Sequence, residues 1–139
     1  KIKNNIFYFY SNTTLIMDKT TSTLGMTVLE NINFWKQIAS SKIKSEEIMK
    51  LLNILEIDQY LKEKVMYLSL GEIKKLELTR LILEKKKLWI LDEPYSGLDN
   101  KSIDIINKTF TDHVSNEGII IFSSHYNPNI NNIEILSLN

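Results

Sequence analysis

Between Leu88 and Asp99 the chain reads LWILDEPYSGLD: four apolar residues, two adjacent acids, a proline, then a small-residue turn closed by another acid. A short apolar run without alternation is the pattern of a strand buried on both faces of a parallel sheet. Such a strand does not run into two carboxylates without consequence, because a buried charge without a partner is costly. In open α/β sheets, ligands bind beyond the carboxyl ends of the strands. Asp92 at such an end can hold a phosphate-bound magnesium ion, and the neighbouring Glu93 can orient or deprotonate an attacking water. The competing reading is a strand that merely ends in a polar turn.

The flanking segments favour a layered α/β sheet. Ser69-Leu70-Gly71-Glu72 has the form of a capping box and opens a helix reaching about Leu83, with Ile73 and Leu76 facing inward. Lys85, Lys86 and Lys87 follow its end, where cations favour the negative pole of the helix dipole. Asp99 can cap a further helix in which Ile103, Ile106, Phe110 and Val114 share a face. Gly118 breaks that helix, Ile119 to Phe122 supplies a second buried strand, and Ser123, Ser124 and His125 stand at its end. Ile133 to Leu138 reads as a third strand.

Upstream, Ile6 to Tyr10 and Thr14 to Met17 read as strands. Thr27 to Glu30 is another capping box, followed by Leu29, Ile32, Trp35 and Ile38 at helical spacing. A helix entered at Ser45 carries Ile48, Leu51, Leu52 and Leu55 on one face. An all-helical stretch from residue 27 to residue 66 is thus set into a chain that otherwise alternates helix and strand.

Composition narrows the possible partners. The 17 basic and 17 acidic residues cancel, so no global field attracts nucleic acid or an anionic membrane, and phosphate recognition must be local. Cysteine is absent, which excludes disulfides and thiolate metal sites. Apolar runs such as Leu88 to Leu91 and Ile119 to Phe122 are far short of the roughly 20 residues of a membrane helix. All but one of the 17 basic residues are lysine, as in AT-rich genomes, which singles out Arg80.

Leu68-Ser69-Leu70-Gly71-Glu72, then Arg80, Leu88 to Glu93, Ser96-Gly97-Leu98-Asp99 and His125 follow one another in an order that resembles the ATP-binding-cassette (ABC) ATPases, with their signature motif, Walker B strand, D-loop and switch histidine. The resemblance implies ATP and Mg2+ as ligands. It implies that Glu93 is the general base, that His125 reaches the terminal phosphate, and that Asp92 acts on magnesium. Ser69, Gly71, Glu72 and Asp99 would meet nucleotide held by a second nucleotide-binding subunit in a head-to-tail dimer. Residues 27–66 would be the inserted helical subdomain that docks on transmembrane subunits, and 67–139 the signature, Walker B and switch region. The implied protein is peripheral, on the cytoplasmic face of a bacterial inner membrane or the matrix face of a mitochondrial one. Thr27 to Trp35 and the Walker B tryptophan, Trp89, are similar to the ATP-binding subunit of the cytochrome c maturation haem exporter.

The departures are equally specific. None of the four glycines begins the phosphate loop G-x-x-x-x-G-K-[ST], so 1–139 reads as a partial ABC ATPase domain, lacking its N-terminal phosphate-loop part and inactive alone. Lys19, with Asp18 as the alternative, stands where the family expects a glutamine, and an ammonium lacks that amide's acceptor oxygen. The signature is LSLGE, in which Glu72 can serve as capping partner of Ser69 as readily as nucleotide ligand. Three expectations compete: an ATPase subunit whose phosphate loop lies upstream, a non-hydrolysing subunit that lends its signature and D-loop in trans, and a decaying gene.

Overall fold

A computed structural model describes residues 2–128 together with 130 and 134. In chain order its elements are α1 (Ile2–Ser11), β1 (Thr13–Ile16), α2 (Val28–Ile38), α3 (Ser45–Ile54), two 3-10 turns (Asp58–Tyr60 and Val65–Tyr67), α4 (Leu70–Glu84), β2 (Leu88–Asp92), α5 (Asn100–Ser115) and β3 (Ile119–Ser123). The three strands form one parallel sheet in the order β1-β2-β3, with Ile16 opposite Leu91 and Asp92 opposite Ser123. The expected α/β layering is present, with β2 central. Apart from Glu134, the strand expected over Ile133 to Leu138 lies outside the described residues.

Both capping boxes form. Thr27 and Ser69 each accept from the backbone N–H of the glutamate three residues on, while Glu30 and Glu72 accept from the cap residue's own amide. Helix α4 separates two cores. One packs Val28, Ile32, Leu52, Leu55 and Val65 against Leu76 and Leu83. The other packs Leu78 and Leu81 of α4 and Ile103, Ile106 and Phe110 of α5 against Ile16, Trp89 and Leu91 of the sheet. Trp89 lies beneath the sheet, stacked on His113 at a centroid distance of 3.5 Å.

Several expectations are corrected. Ile6 to Tyr10 is helix, not strand: α1 runs Ile2–Ser11, and its last carbonyls are satisfied by the Ser11, Asn12 and Thr13 side chains, which donate to Tyr8 and Phe9. Ile119 to Phe122 is a strand, but it is not buried on both faces. It forms an edge of the described sheet, with Ile120 and Phe122 toward the core and Ile119 and Ile121 exposed. In β2, likewise, Trp89 and Leu91 are buried while Leu88 and Ile90 are half-buried. On α2 the inward residues are Val28, Ile32 and Trp35, and Leu29 and Ile38 face out, so the buried stripe is displaced by one residue at its start. Val114 also faces solvent at the last turn of α5.

Candidate functional site

Because the strands are parallel, their carboxyl ends form one edge. There β1 leads to Asp18 and Lys19, β2 delivers Asp92 and Glu93, and β3 delivers Ser123, Ser124 and His125. The Ser123 hydroxyl donates to Asp92 Oδ1 at 2.6 Å, which orients that carboxylate. Glu93 has φ +46°, a left-handed conformation rare for a residue with a side chain. Such strain persists only where the surroundings over-determine it. Here the Glu93 amide donates to the Ser123 carbonyl at 3.1 Å, and the Glu93 carboxylate accepts the His125 amide at 3.1 and 3.3 Å. The His125 imidazole is fully exposed, with Nε2 3.8 Å from Glu93 Oε1.

Ser69, Gly71, Glu72 and Asp99 form a second group, where the N-terminus of α4 meets the turn before α5. Gly71 abuts Gly97 so closely that a Cβ built on Gly71 would overlap the Gly97 carbonyl oxygen. Gly97 itself turns with φ +73°, a conformation that suits glycine. The close approach at Gly71 is therefore to the chain's own turn. Asp99 caps α5 by accepting the Ser102 amide at 2.8 Å, and it pairs with Lys75 of α4 at 2.8 Å. The Lys75 bond, aided by the Ser102 amide, holds the Asp99 carboxyl well below the usual carboxylate range.

Glu72 is engaged within its own helix start: its Oε2 accepts the Ser69 amide at 2.7 Å and the Ser69 hydroxyl at 2.8 Å. Burial pushes its carboxyl up, but hydrogen bonds from Tyr60 and Ser69 outweigh that and hold it below its ordinary value. Lys19 is exposed, and among the described residues no hydrogen bond or ion pair joins it to either group. Its neighbour Asp18 faces the buried Lys74 at 3.9 Å.

One cluster was not foreseen. Glu77, 2% exposed in the middle of α4, gathers the loop that returns from the ligand edge. It accepts from the hydroxyls of Thr20, Thr21 and Ser22 and from the amides of Thr21 and Ser22, at 2.6 to 2.9 Å. Arg80 completes it, bonding Glu77 at 3.3 Å, Glu84 at 2.8 Å and the Thr21 hydroxyl at 2.8 Å, with its guanidinium 5.5 Å from the centre of the Trp35 ring. The available signal was an acid on the inward side of α4, three residues before the chain's only arginine.

Among the described residues no group of three or more acids, histidines or cysteines converges on a metal position. A magnesium ion held by one carboxylate, waters and nucleotide phosphates needs no such group, and Asp92, oriented by Ser123 with Oδ2 left over, fits that donor set.

The profile of the ABC transporter family matches residues 2–96. Relatives include a "Cytochrome c biogenesis ATP-binding export protein CcmA" from Rickettsia felis, 35% identical over 83% of this chain and 57% of that protein. The CcmA of Reclinomonas americana is 34% identical over 99% of this chain and 60% of its own length. The chain thus spans somewhat more than half the length of these relatives. Among solved structures, the ATP-binding subunit of an ABC transporter superposes with a TM-score of 0.75 at 17% identity, covering 90% of this chain and 53% of that one. A dimeric ATP-binding cassette bound to ADP and Pi gives 0.68 at 15% identity, covering 88% and 56%. At these identities the superpositions speak to the fold alone.

Proposed function

Because the chain belongs to the ABC transporter family, its profile covering residues 2–96, we propose that it is part of an ATP-binding subunit that couples ATP hydrolysis to a membrane transporter for haem export or cytochrome c biogenesis. The observation that carries the reading is the meeting of Asp92, Glu93 and His125 at the carboxyl edge of the sheet. The names and identities of the CcmA relatives support the assignment to cytochrome c assembly.

Bound magnesium would neutralise charge on the β- and γ-phosphates. Asp92 would hold it, largely through water. Glu93, pinned by the His125 amide, takes the proton from the attacking water. The exposed imidazole of His125 is free to contact the terminal phosphate. Ser69 and the Gly71 backbone, at a helix N-terminus where free N–H groups and the dipole favour anions, face nucleotide held by the opposite subunit, with Asp99 at the seam. In that setting Glu72 acts first as the cap partner of Ser69, and Lys19 contributes a cation at the edge.

Residues 27–66 form the face toward transmembrane subunits. No helix among the described residues is long and apolar enough to cross a membrane. A peripheral position on the cytoplasmic or matrix face of an inner membrane follows from that partnership.

A second reading has its own support. Helix α4 and the Gly97 turn are built and joined, with Gly71 against Gly97. On this reading the chain lends both elements in trans to ATP held by a partner that has its own phosphate loop.

The test of the hydrolytic reading is turnover in the assembled transporter. Glu93→Gln abolishes hydrolysis while leaving ATP-dependent association intact, and His125→Ala also cripples turnover. Near wild-type rates in either variant remove that residue from the chemistry. Silence in the wild type, with association retained, selects the second reading.

A further inference from the structure

The loop from Lys19 to Ser22 is held to the fold by one buried carboxylate and, at the Thr21 hydroxyl, by Arg80. Outside helices and strands, no backbone-to-backbone hydrogen bond among the described residues involves residues 19–22; the nearest are Met26 to Thr23 and Met66 to Leu24. Five side-chain and amide donors of Thr20, Thr21 and Ser22 instead converge on Glu77. We propose that Glu77 is a positioning residue for Lys19: it fastens the loop to α4, so that Lys19 is held at the ligand edge and moves with the signature helix as one body.

Chemistry explains why this position carries an acid. A carboxylate offers about four lone-pair sites, which the five donors of a segment that forms no ladder share with Arg80. A fully satisfied buried polar network also specifies one geometry in a way that apolar contact does not. Its counter-charge is internal. Arg80, three residues along α4, pairs with Glu77 and Glu84, and Glu84 also accepts from the Thr14 hydroxyl of β1 at 2.8 Å. The network therefore ties loop, strand and helix together, and Trp35 of α2 packs against the guanidinium. At the near end of the loop, Lys74 of α4 faces Asp18 and the Met17 carbonyl, fixing the segment before Lys19 to the same helix.

The charged and titratable groups on this assembly are Arg80, Glu84 and Lys74 from α4, and Asp18 and Lys19 from the loop; Thr14 and Trp35 contribute no charge. Burial pushes the Glu77 carboxyl up, but bonds from Thr20, Ser22 and Thr21 and the Arg80 charge outweigh it and hold it below its ordinary value. A group whose folded pKa is lowered contributes stability above its unfolded value and loses it as pH falls through the folded one. The clamp should therefore persist at the ordinary glutamate value and release as pH falls below it.

The role given to Lys19 rests on the proposed function; the clamp does not, and its test needs no nucleotide. The experiment is amide hydrogen exchange and backbone relaxation by NMR on the whole chain, from neutral pH down to and below about pH 4. In the wild type, Thr21 and Ser22 amides stay protected and Lys19 stays ordered until pH falls below the ordinary glutamate value. In Glu77→Gln, both amides exchange about tenfold faster or more, Lys19 order falls, and the pH step disappears, while Ile32 and Trp35 in α2 keep their protection. Glu77→Asp, which keeps the charge on a shorter stem, retains the pH step with weaker protection. Unchanged protection in Glu77→Gln, or Lys19 order that ignores both the variant and pH, overturns the proposal. Should Glu77→Gln not fold, the wild-type pH step and Glu77→Asp decide it alone.

Discussion

Val28, Leu52 and Val65 in the helical half are 0% exposed, whereas Ile119 and Ile121 on β3 remain 60% and 57% exposed. The two halves share α4, and their apolar content reads alike in the sequence. The difference lies in what covers them. Helices α2, α3 and α4 close a core on one another, while α4 and α5 cover only one face of the sheet, leaving Leu15, Ile119 and Ile121 on the other. An apolar strand reports what it is suited to bury, and the cover has to come from an element that the strand's own sequence does not describe.

This contrast can be tested by truncation. Leu52→Ala, in the closed core, should destabilise the chain by about 2–5 kcal/mol, read as a shift in the urea unfolding midpoint. Ile121→Ala, at an exposed position of β3, should stay within about 0.5 kcal/mol. Equal losses would mean that the outer face is covered in solution and would end the comparison.

Smaller effects probe the junction between the halves. Asp99→Ala removes the cap of α5 and the partner of Lys75 and should cost about 0.5–2 kcal/mol. The wild-type contribution has a definite sign with pH. The Asp99 carboxyl is held low, so its stabilisation is complete above the ordinary aspartate value and is lost as pH falls toward the lowered one. An Asp99→Ala chain should therefore show a flatter loss of stability in acid than the wild type. Gly97→Ala forces a side chain into φ +73° and should cost roughly 1 kcal/mol, also by urea titration. A neutral result would show that the turn can relax away from Gly71.

The helical features were legible because each is local. Thr27 with Glu30 and Ser69 with Glu72 satisfy their own helix starts, and Asp99 caps α5 from the adjacent position. The carboxyl edge was legible for a different reason: parallel strands align their ends, so Asp92, Glu93 and His125 had to meet once the strands were identified. What stayed hidden depends on contacts across long separations. Ile6 to Tyr10 carries strand-like residues, yet its fate as α1 depends on Ser11, Asn12 and Thr13 supplying donors to its last carbonyls. Glu77 reads as an ordinary helix acid until a loop more than 50 residues earlier in the sequence folds onto it. The close approach of Gly71 to Gly97 joins two segments 26 residues apart, and no local pattern announces it.

The measurement that bears most directly on the account is association of this chain with an ABC subunit that carries its own phosphate loop, followed by light scattering with and without MgATP. Both readings of the function place the N-terminus of α4 against nucleotide held by the opposite subunit. The account predicts a heterodimer that forms in MgATP and dissociates when nucleotide is removed. Failure to associate, or association indifferent to nucleotide, would contradict it.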